Sequence, residues 1–245
     1  MFPERWQAKS QKAGAVSDAF YRVVRCIGRP AFARSSRPVY LHACRVPATG
    51  PVIVAANHLS PYDIPCLMGA IERPLDFVSI VEVFRNPLVA WFFRNMNAFP
   101  LDRGRADPAT TRIILDRLRG GRAVAMFPEG RIPSPQESML TGGPARWSII
   151  RLARLAGSPI VPAVLLGTGV FRRPAAWKPV GKTKYAAAFG CPVVVDRQTD
   201  EAAACAAAQV QLIAAYQELY AELSAASGLT VLDQPWRTAA KTDRC

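Results

Sequence analysis

The sequence predicts an α/β protein with a mainly parallel central sheet flanked by helices. Three observations carry that prediction. Short runs such as Val52–Ala56 and Pro159–Leu166 are apolar throughout, as strands covered on both faces are. Longer segments between them repeat their apolar residues every three to four positions, the helical period. The two kinds of segment alternate, and that order marks a sheet built from crossover units.

Taken in order, Val16, Ala19, Phe20, Val23, Val24 and Ile27 recur at helical spacing, with Arg22, Arg25 and Arg29 largely off the stripe and Pro30 ending the pattern. Such a basic amphipathic helix either lies in an anionic lipid interface or packs its stripe on the domain. Val39–His42 reads as a strand, with His42 at its edge or on the surface. Val52–Ala56 is a buried strand, and a helix from Ser60 turns Ile64, Leu67, Met68 and Ile71 inward. Phe77–Ile80 is a further strand. Pro87–Phe93, apolar nearly all round between Arg85 and Arg94, reads as a core helix, the alternative being a helix dipping into lipid with Trp91 at headgroup depth. Residues 99–105 read as a loop. Asp107-Pro108 starts a helix that stops at Gly120-Gly121, and Arg122–Phe127 is a strand running into Pro128-Glu129-Gly130-Arg131. Gly142-Gly143-Pro144 opens another helix, Pro159–Leu166 is a buried strand, Lys184–Val195 supplies one or two more, and a long helix runs from Asp200 to about Ser224. The expected organisation is a basic N-terminal segment over 1–37, one domain over 38–227 and a loose tail over 228–245.

Lys and Arg outnumber Asp and Glu by 31 to 18 across 245 residues, a net of +13. That excess implies an anionic partner, and nucleic acid is set aside because no recognition motif accompanies the charge. The six cysteines are scattered without a Cys-x-x-Cys pair, which argues against a zinc site and suits a reducing compartment. No secretory leader is visible at the start, and no run of about 18 apolar residues lacks a charge or a breaker. Gly-rich phosphate loops and a Gly-x-Ser-x-Gly elbow are missing too.

The chemistry concentrates in Asn57-His58-Leu59-Ser60-Pro61-Tyr62-Asp63. Ser60 reads as a helix N-cap, Pro61 as the first helical residue and Asp63 as the third, with His58 in the loop before them. Helical side chains tilt toward the helix start, so Asp63 can reach one imidazole nitrogen and leave the other to take a proton from a hydroxyl. Ser-x-x-Asp is also a capping pattern, and Asp63 would then serve only backbone N–H groups. Histidine, with an ordinary pKa of about 6.5, is the natural base at neutral pH.

Four stretches stand in a specific order: Asn57-His58-x-Ser60-x-x-Asp63, Phe99-Pro100-Leu101-Asp102-Arg103, Phe127-Pro128-Glu129-Gly130 and Ile160-Val161-Pro162. Together they resemble the glycerolipid acyltransferase superfamily, the group containing 1-acylglycerol-3-phosphate acyltransferases, over roughly residues 38–195. The resemblance implies a glycerol-3-phosphate acyltransferase-like fold. It implies His58 as general base, Asp63 as the group that orients it, Arg103 as the acceptor-phosphate ligand, and Glu129 with Gly130 shaping the acceptor site. The implied partners are acyl-CoA or acyl-carrier protein, a lyso-glycerophospholipid and an anionic membrane surface, at the cytoplasmic face of the cell membrane. No cofactor is implied, because transfer from a thioester to an alcohol needs neither metal nor redox group. Oxyanion donors are expected among backbone N–H groups near Ser60. One departure stands out. Many members continue the third motif with Thr-Arg-Ser, whereas this chain has Arg131-Ile132-Pro133-Ser134, which leaves the part of Arg131 in phosphate binding and the identity of the acceptor open.

Overall fold

The computed structural model describes residues 15–101, 108–179 and 183–232. Seven strands form one sheet: β1 (Ser36–Leu41), β2 (Val52–Ala56), β3 (Leu75–Ile80), β4 (Ala98–Leu101), β5 (Ala123–Met126), β6 (Ile160–Leu166) and β7 (Thr183–Phe189). Their spatial order is β1-β7-β6-β2-β5-β3-β4. Neighbours run parallel except β6 and β7, which are antiparallel. The expected α/β fold with a mainly parallel sheet is therefore the observed one.

Strand alternation divides the core. Ile53, Ala55, Val124 and Val164 point to one face, under α4 (Pro108–Arg119), α5 (Ser148–Ala156) and α6 (Glu201–Ser227). Val54, Ala125, Val161 and Leu165 point to the other, under α1 (Ala15–Ser35), α2 (Asp63–Ala70) and α3 (Pro87–Asn95). Capping sets several ends. Asp200 accepts from Ala202 and Ala203 N–H and starts α6, and Asn86 accepts from Leu88 and Val89 N–H and starts α3. Gly157 and Gly228 end α5 and α6 in left-handed conformations that a side chain would strain.

Four expectations need correction. The segment at Phe99 is not all loop, since Ala98–Leu101 pairs with β3 and only residues 102–107 fall outside the described residues. Pro30 does not end α1, which continues to Ser35. Beyond it the helix is held by Phe32, whose ring sits 5.2 Å from Phe171 and 5.1 Å from Trp177. Of the apolar stripe of α1, Val23 and Ile27 are exposed, which agrees with the lipid-facing alternative, while Tyr21, off that stripe, is fully buried. Helix α3 is not a core helix. Only Ala90 of it is buried, and Leu88, Val89, Trp91 and Phe92 are exposed. Finally, α5 begins at Ser148 rather than at Gly142-Gly143-Pro144. Tail residues 233–245 lie outside the described residues, as do 1–14.

Candidate active site

The site forms where β2 and β5 deliver their C-terminal ends side by side. Asn57 anchors it. Its side chain donates to the Leu165 carbonyl at 3.0 Å and accepts from the Leu165 N–H at 2.7 Å, completing the ladder toward β6 with a side chain in place of a backbone. His58 follows. Its Nδ1–H donates to Asp63 Oδ2 at 2.7 Å, a tautomer assigned from the carboxylate partner. That leaves Nε2 as the nitrogen able to accept a proton. The ring is 14% exposed, stacks on Phe127 at 4.1 Å and 18°, and lines a cavity of about 930 Å³.

The helix start differs from expectation in detail. Residues 61 and 62 form a turn and α2 begins at Asp63 itself. The N-cap is therefore Tyr62, without a side-chain cap bond, rather than Ser60, whose Oγ accepts from the Tyr62 N–H at 3.1 Å in the turn before the helix. Asp63 leans back as expected and does both jobs weighed for it. Its Oδ2 accepts from Leu59 N–H at 2.7 Å and Ser60 N–H at 3.0 Å as well as from His58. Its Oδ1 accepts from the Ser60 hydroxyl at 3.3 Å and from the Thr168 hydroxyl. Burying a carboxylate completely is costly unless its oxygens are hydrogen-bonded, and both of these are.

These bonds displace the expected oxyanion donors. The N–H groups of Leu59 and Ser60 are spent on Asp63, that of Asp63 on the Ser60 carbonyl and that of Tyr62 on Ser60 Oγ. A cap that satisfies a buried carboxylate cannot also face a substrate oxygen.

Glu129 is turned inward. Its Oε2 accepts the His58 backbone N–H at 2.5 Å, and its Oε1 accepts the Ser138 hydroxyl and the Met139 N–H, each at 2.8 Å. Burial pushes the Glu129 carboxyl above the usual glutamate range, against the pull of these donors. Gly130 has φ 65, and a Cβ there would meet the Arg146 side chain at 3.3 Å, so the turn after Glu129 favours glycine on both counts. Arg131 is exposed, pairs with Glu137 at 3.1 Å and lines the same cavity as His58. Arg103 and Arg105 lie outside the described residues. Among the described residues, no group of three or more His, Cys, Asp or Glu could hold a metal ion. His42 stands apart, its Nε2 2.8 Å from Glu222 on α6.

Thr168 is the site residue that sequence reasoning missed. It begins a short 3-10 turn (Thr168–Arg172) after β6. Besides its bond to Asp63, its carbonyl lies 3.1 Å from Ser60 Oγ and shares that hydroxyl's one proton with Asp63 Oδ1. The local signal is Gly167, with φ 79 and no room for a Cβ against the Lys184 carbonyl at 2.7 Å, which stops the strand and turns Thr168 inward.

Comparison with known proteins bears on what this arrangement serves. The sequence model of the Acyltransferase family matches residues 39–166. A 1-acyl-sn-glycerol-3-phosphate acyltransferase of Bacillus subtilis (strain 168) is 25% identical over 123 residues, 50% of this chain and 59% of the relative. A lyso-ornithine lipid O-acyltransferase of Pseudomonas aeruginosa is 37% identical over 81 residues, 33% of this chain and 31% of the relative. The chain thus spans from about a third to three-fifths of these two curated relatives' own lengths. In fold, it superimposes with a TM-score of 0.60 on the crystal structure of the 1-acyl-sn-glycerophosphate (LPA) acyltransferase PlsC from Thermotoga maritima, at 24% identity over 81% of this chain and 79% of that one. The matched stretch runs from within β1 to the end of β6 and takes in His58, Asp63 and Glu129, and on that match the chain belongs to the acyltransferase family.

Proposed function

We propose that the chain is an O-acyltransferase that moves a fatty acyl group from an acyl-CoA or acyl-carrier-protein thioester to the free hydroxyl of a lyso-glycerophospholipid, 1-acylglycerol-3-phosphate first. The observation that supports this best is the His58–Asp63 pair opening on a cavity of about 930 Å³, large enough to hold a hydrocarbon chain. In this reading, Nε2 of His58 takes the hydroxyl proton as the alcohol oxygen attacks the thioester carbonyl. The C–O bond forms, the tetrahedral intermediate collapses, the C–S bond breaks, and the imidazolium returns the proton to the departing thiolate. Asp63 holds the imidazole by Nδ1 and balances the charge that develops on it. Glu129 fixes the His58 backbone, and Gly130 turns Arg131 toward the acceptor. Arg131 and Arg103 are the proposed phosphate ligands, since a guanidinium binds phosphate through paired bonds.

The reading places the enzyme on the cytoplasmic membrane face as a peripheral or monotopic protein. No described helix is long and apolar enough to cross a membrane. An exposed apolar surface formed by Val23, Ile27, Leu88 and Trp91, joined through Phe20, whose ring lies 5.3 Å from Trp91, supports contact with lipid.

A second acceptor reading rests on Arg131, which comes one place earlier than in many relatives. With the likeness to a lyso-ornithine lipid O-acyltransferase, it favours a lyso-lipid with a different headgroup. Labelled acyl thioesters offered with a panel of lyso-lipids separate the two. Transfer is expected in the wild type and should fall by about 10²–10⁴-fold in His58→Ala. Transfer that persists in the variant would refute the mechanism, and a panel without any product would refute the function.

A further inference from the structure

The cavity beside His58 is lined by residues from strands on both sides of the strand that carries that histidine. Its walls include Tyr40 and Tyr185 from β1 and β7 at one side, and Phe77 and Ser79 from β3 at the other. In the sheet order, β7 and β3 lie two strands to either side of β2, the strand that carries His58. At a spacing of about 4.8 Å, the cavity runs roughly 10 Å each way from His58. A tunnel for one chain, with the reacting carbonyl at its mouth, would put the base at an end.

Helix α1 roofs both arms. Near its start, Phe20 packs on Trp91 and Phe92 of α3, and near its end Phe32 packs on Phe171 and Trp177. The first arm is closed by the Tyr40 and Tyr185 hydroxyls, hydrogen-bonded at 2.5 Å, with Gly69 leaving room for the Tyr40 hydroxyl where a Cβ would come within 2.5 Å. The second is walled by Phe93 and Met96 of the α3 region. Arg131 follows β5, on the β3 side of β2.

Building on the acyl-transfer reading, we propose that the cavity takes two hydrocarbon chains at once. The donor's acyl chain occupies the arm toward β1 and β7, and the acceptor's own chain occupies the arm toward β3 and α3. The assignment rests on Arg131: an anionic headgroup held there leaves its chain on the β3 side, and the other arm, where Arg25 and Arg29 of α1 also line the cavity beside Tyr40, remains for the thioester.

Two substitutions fill the arms separately. Gly28 lines the cavity one helical turn before Phe32, and nothing lies within 4 Å of a Cβ built there. Gly28→Leu therefore extends into the first arm and also replaces a poor helix former with a good one. Ser79→Leu fills the second arm from a strand position. Purified full-length enzyme is assayed for kcat/KM over donors of graded acyl length and lyso-phospholipids of graded chain length, with melting temperature as the check on folding. Gly28→Leu is expected to penalise long donors by about fourfold per displaced methylene and leave the acceptor profile unchanged, with Gly28→Ala intermediate. Ser79→Leu is expected to do the reverse. If both variants move only the donor profile, if the profiles exchange arms, or if neither profile moves, the assignment is overturned while the acyltransferase reading stands. A wild type inactive with every donor and acceptor would overturn both.

Discussion

Asp63, itself fully buried, receives five donors on its two oxygens, and Thr168 supplies one of them from 105 residues away. A hydrogen bond to a charged group is worth roughly 1.5–3 kcal/mol, and its loss lets the carboxylate shift against the imidazole it orients. Thr168→Val keeps the shape of the side chain and removes the donor. It is expected to lower kcat by about tenfold, and Thr168→Ser should restore most of it; steady-state rates of the two variants decide this. A Val variant with the wild-type kcat would mean that the other four donors suffice. The contrast with His58 shows what a sequence can carry at this scale. His58 and Asp63 are five residues apart across a helix start, so local geometry was enough to pair them. The expected oxyanion donors failed for the same local reason, because the carboxylate that meets His58 also consumes the cap N–H groups. Thr168 and Glu129 meet the His58 loop only through the sheet, and no spacing in the chain announces a bond made 71 or 105 residues away.

At the scale of elements, α1 and α3 departed furthest from what periodicity implied. Hydrophobic period identifies a helix but not which of two apolar sides meets the core, and in α1 Tyr21 is buried while Val23 and Ile27 face outward. The choice is fixed by polar groups on the buried side. Asp18 accepts from Arg122 at 2.8 Å and from Asn97 at 2.9 Å, and Arg25 donates to the Met68 carbonyl at 2.8 Å. Burial pushes the Asp18 carboxyl up, but its bonds to Arg122 and Asn97 outweigh that and hold it below its ordinary value of 3.8. A carboxyl depressed by folding contributes stability that is present above its unfolded pKa and lost as pH falls through its folded one. Helix α1 is therefore expected to loosen first below about pH 4, seen as earlier amide exchange in α1 than in α6, and Asp18→Asn should remove the difference in acid dependence. The outward side has its own test. Ile27→Glu with Trp91→Glu is expected to cut co-sedimentation with anionic vesicles by at least about tenfold, since each side chain forfeits up to roughly 1.5–3 kcal/mol of burial. Unchanged sedimentation would remove this surface from the membrane reading.

For the whole molecule, the mainly parallel sheet and its two-sided core were legible because strands buried on both faces must be apolar throughout, as Val52–Ala56 and Ile160–Leu166 are. An apolar groove walled by the helix after Asp63 and the segment around Trp91 is what acyl transfer leads one to expect, and Ile64, Met68, Phe92 and Phe93 do line the cavity, but its reach to β1 and β7 was not legible, since no single residue encodes a gap. This asymmetry divides the labour between the faces. The face under α4, α5 and α6 is filled by side chains such as Ile150, Leu212 and Leu223, each at most 1% exposed, and it carries stability. The opposite face keeps about 930 Å³ open beside His58. Leu212→Ala is expected to cost about 2–5 kcal/mol, which for a chain of this size lowers the melting temperature by about 5–20 °C. A non-hydrolysable acyl thioester analogue at a hundred times its Kd should add about 2.7 kcal/mol by binding only the folded state. Because the core site and the cavity lie on opposite faces of the sheet without shared side-chain partners, the two effects should add. Thermal unfolding of wild type and Leu212→Ala, each with and without the analogue, closes that cycle. An increment that shrinks in the variant would mean that the filled face sets the width of the hollow one through the sheet, and that core substitutions far from His58 also tune which chains the enzyme accepts.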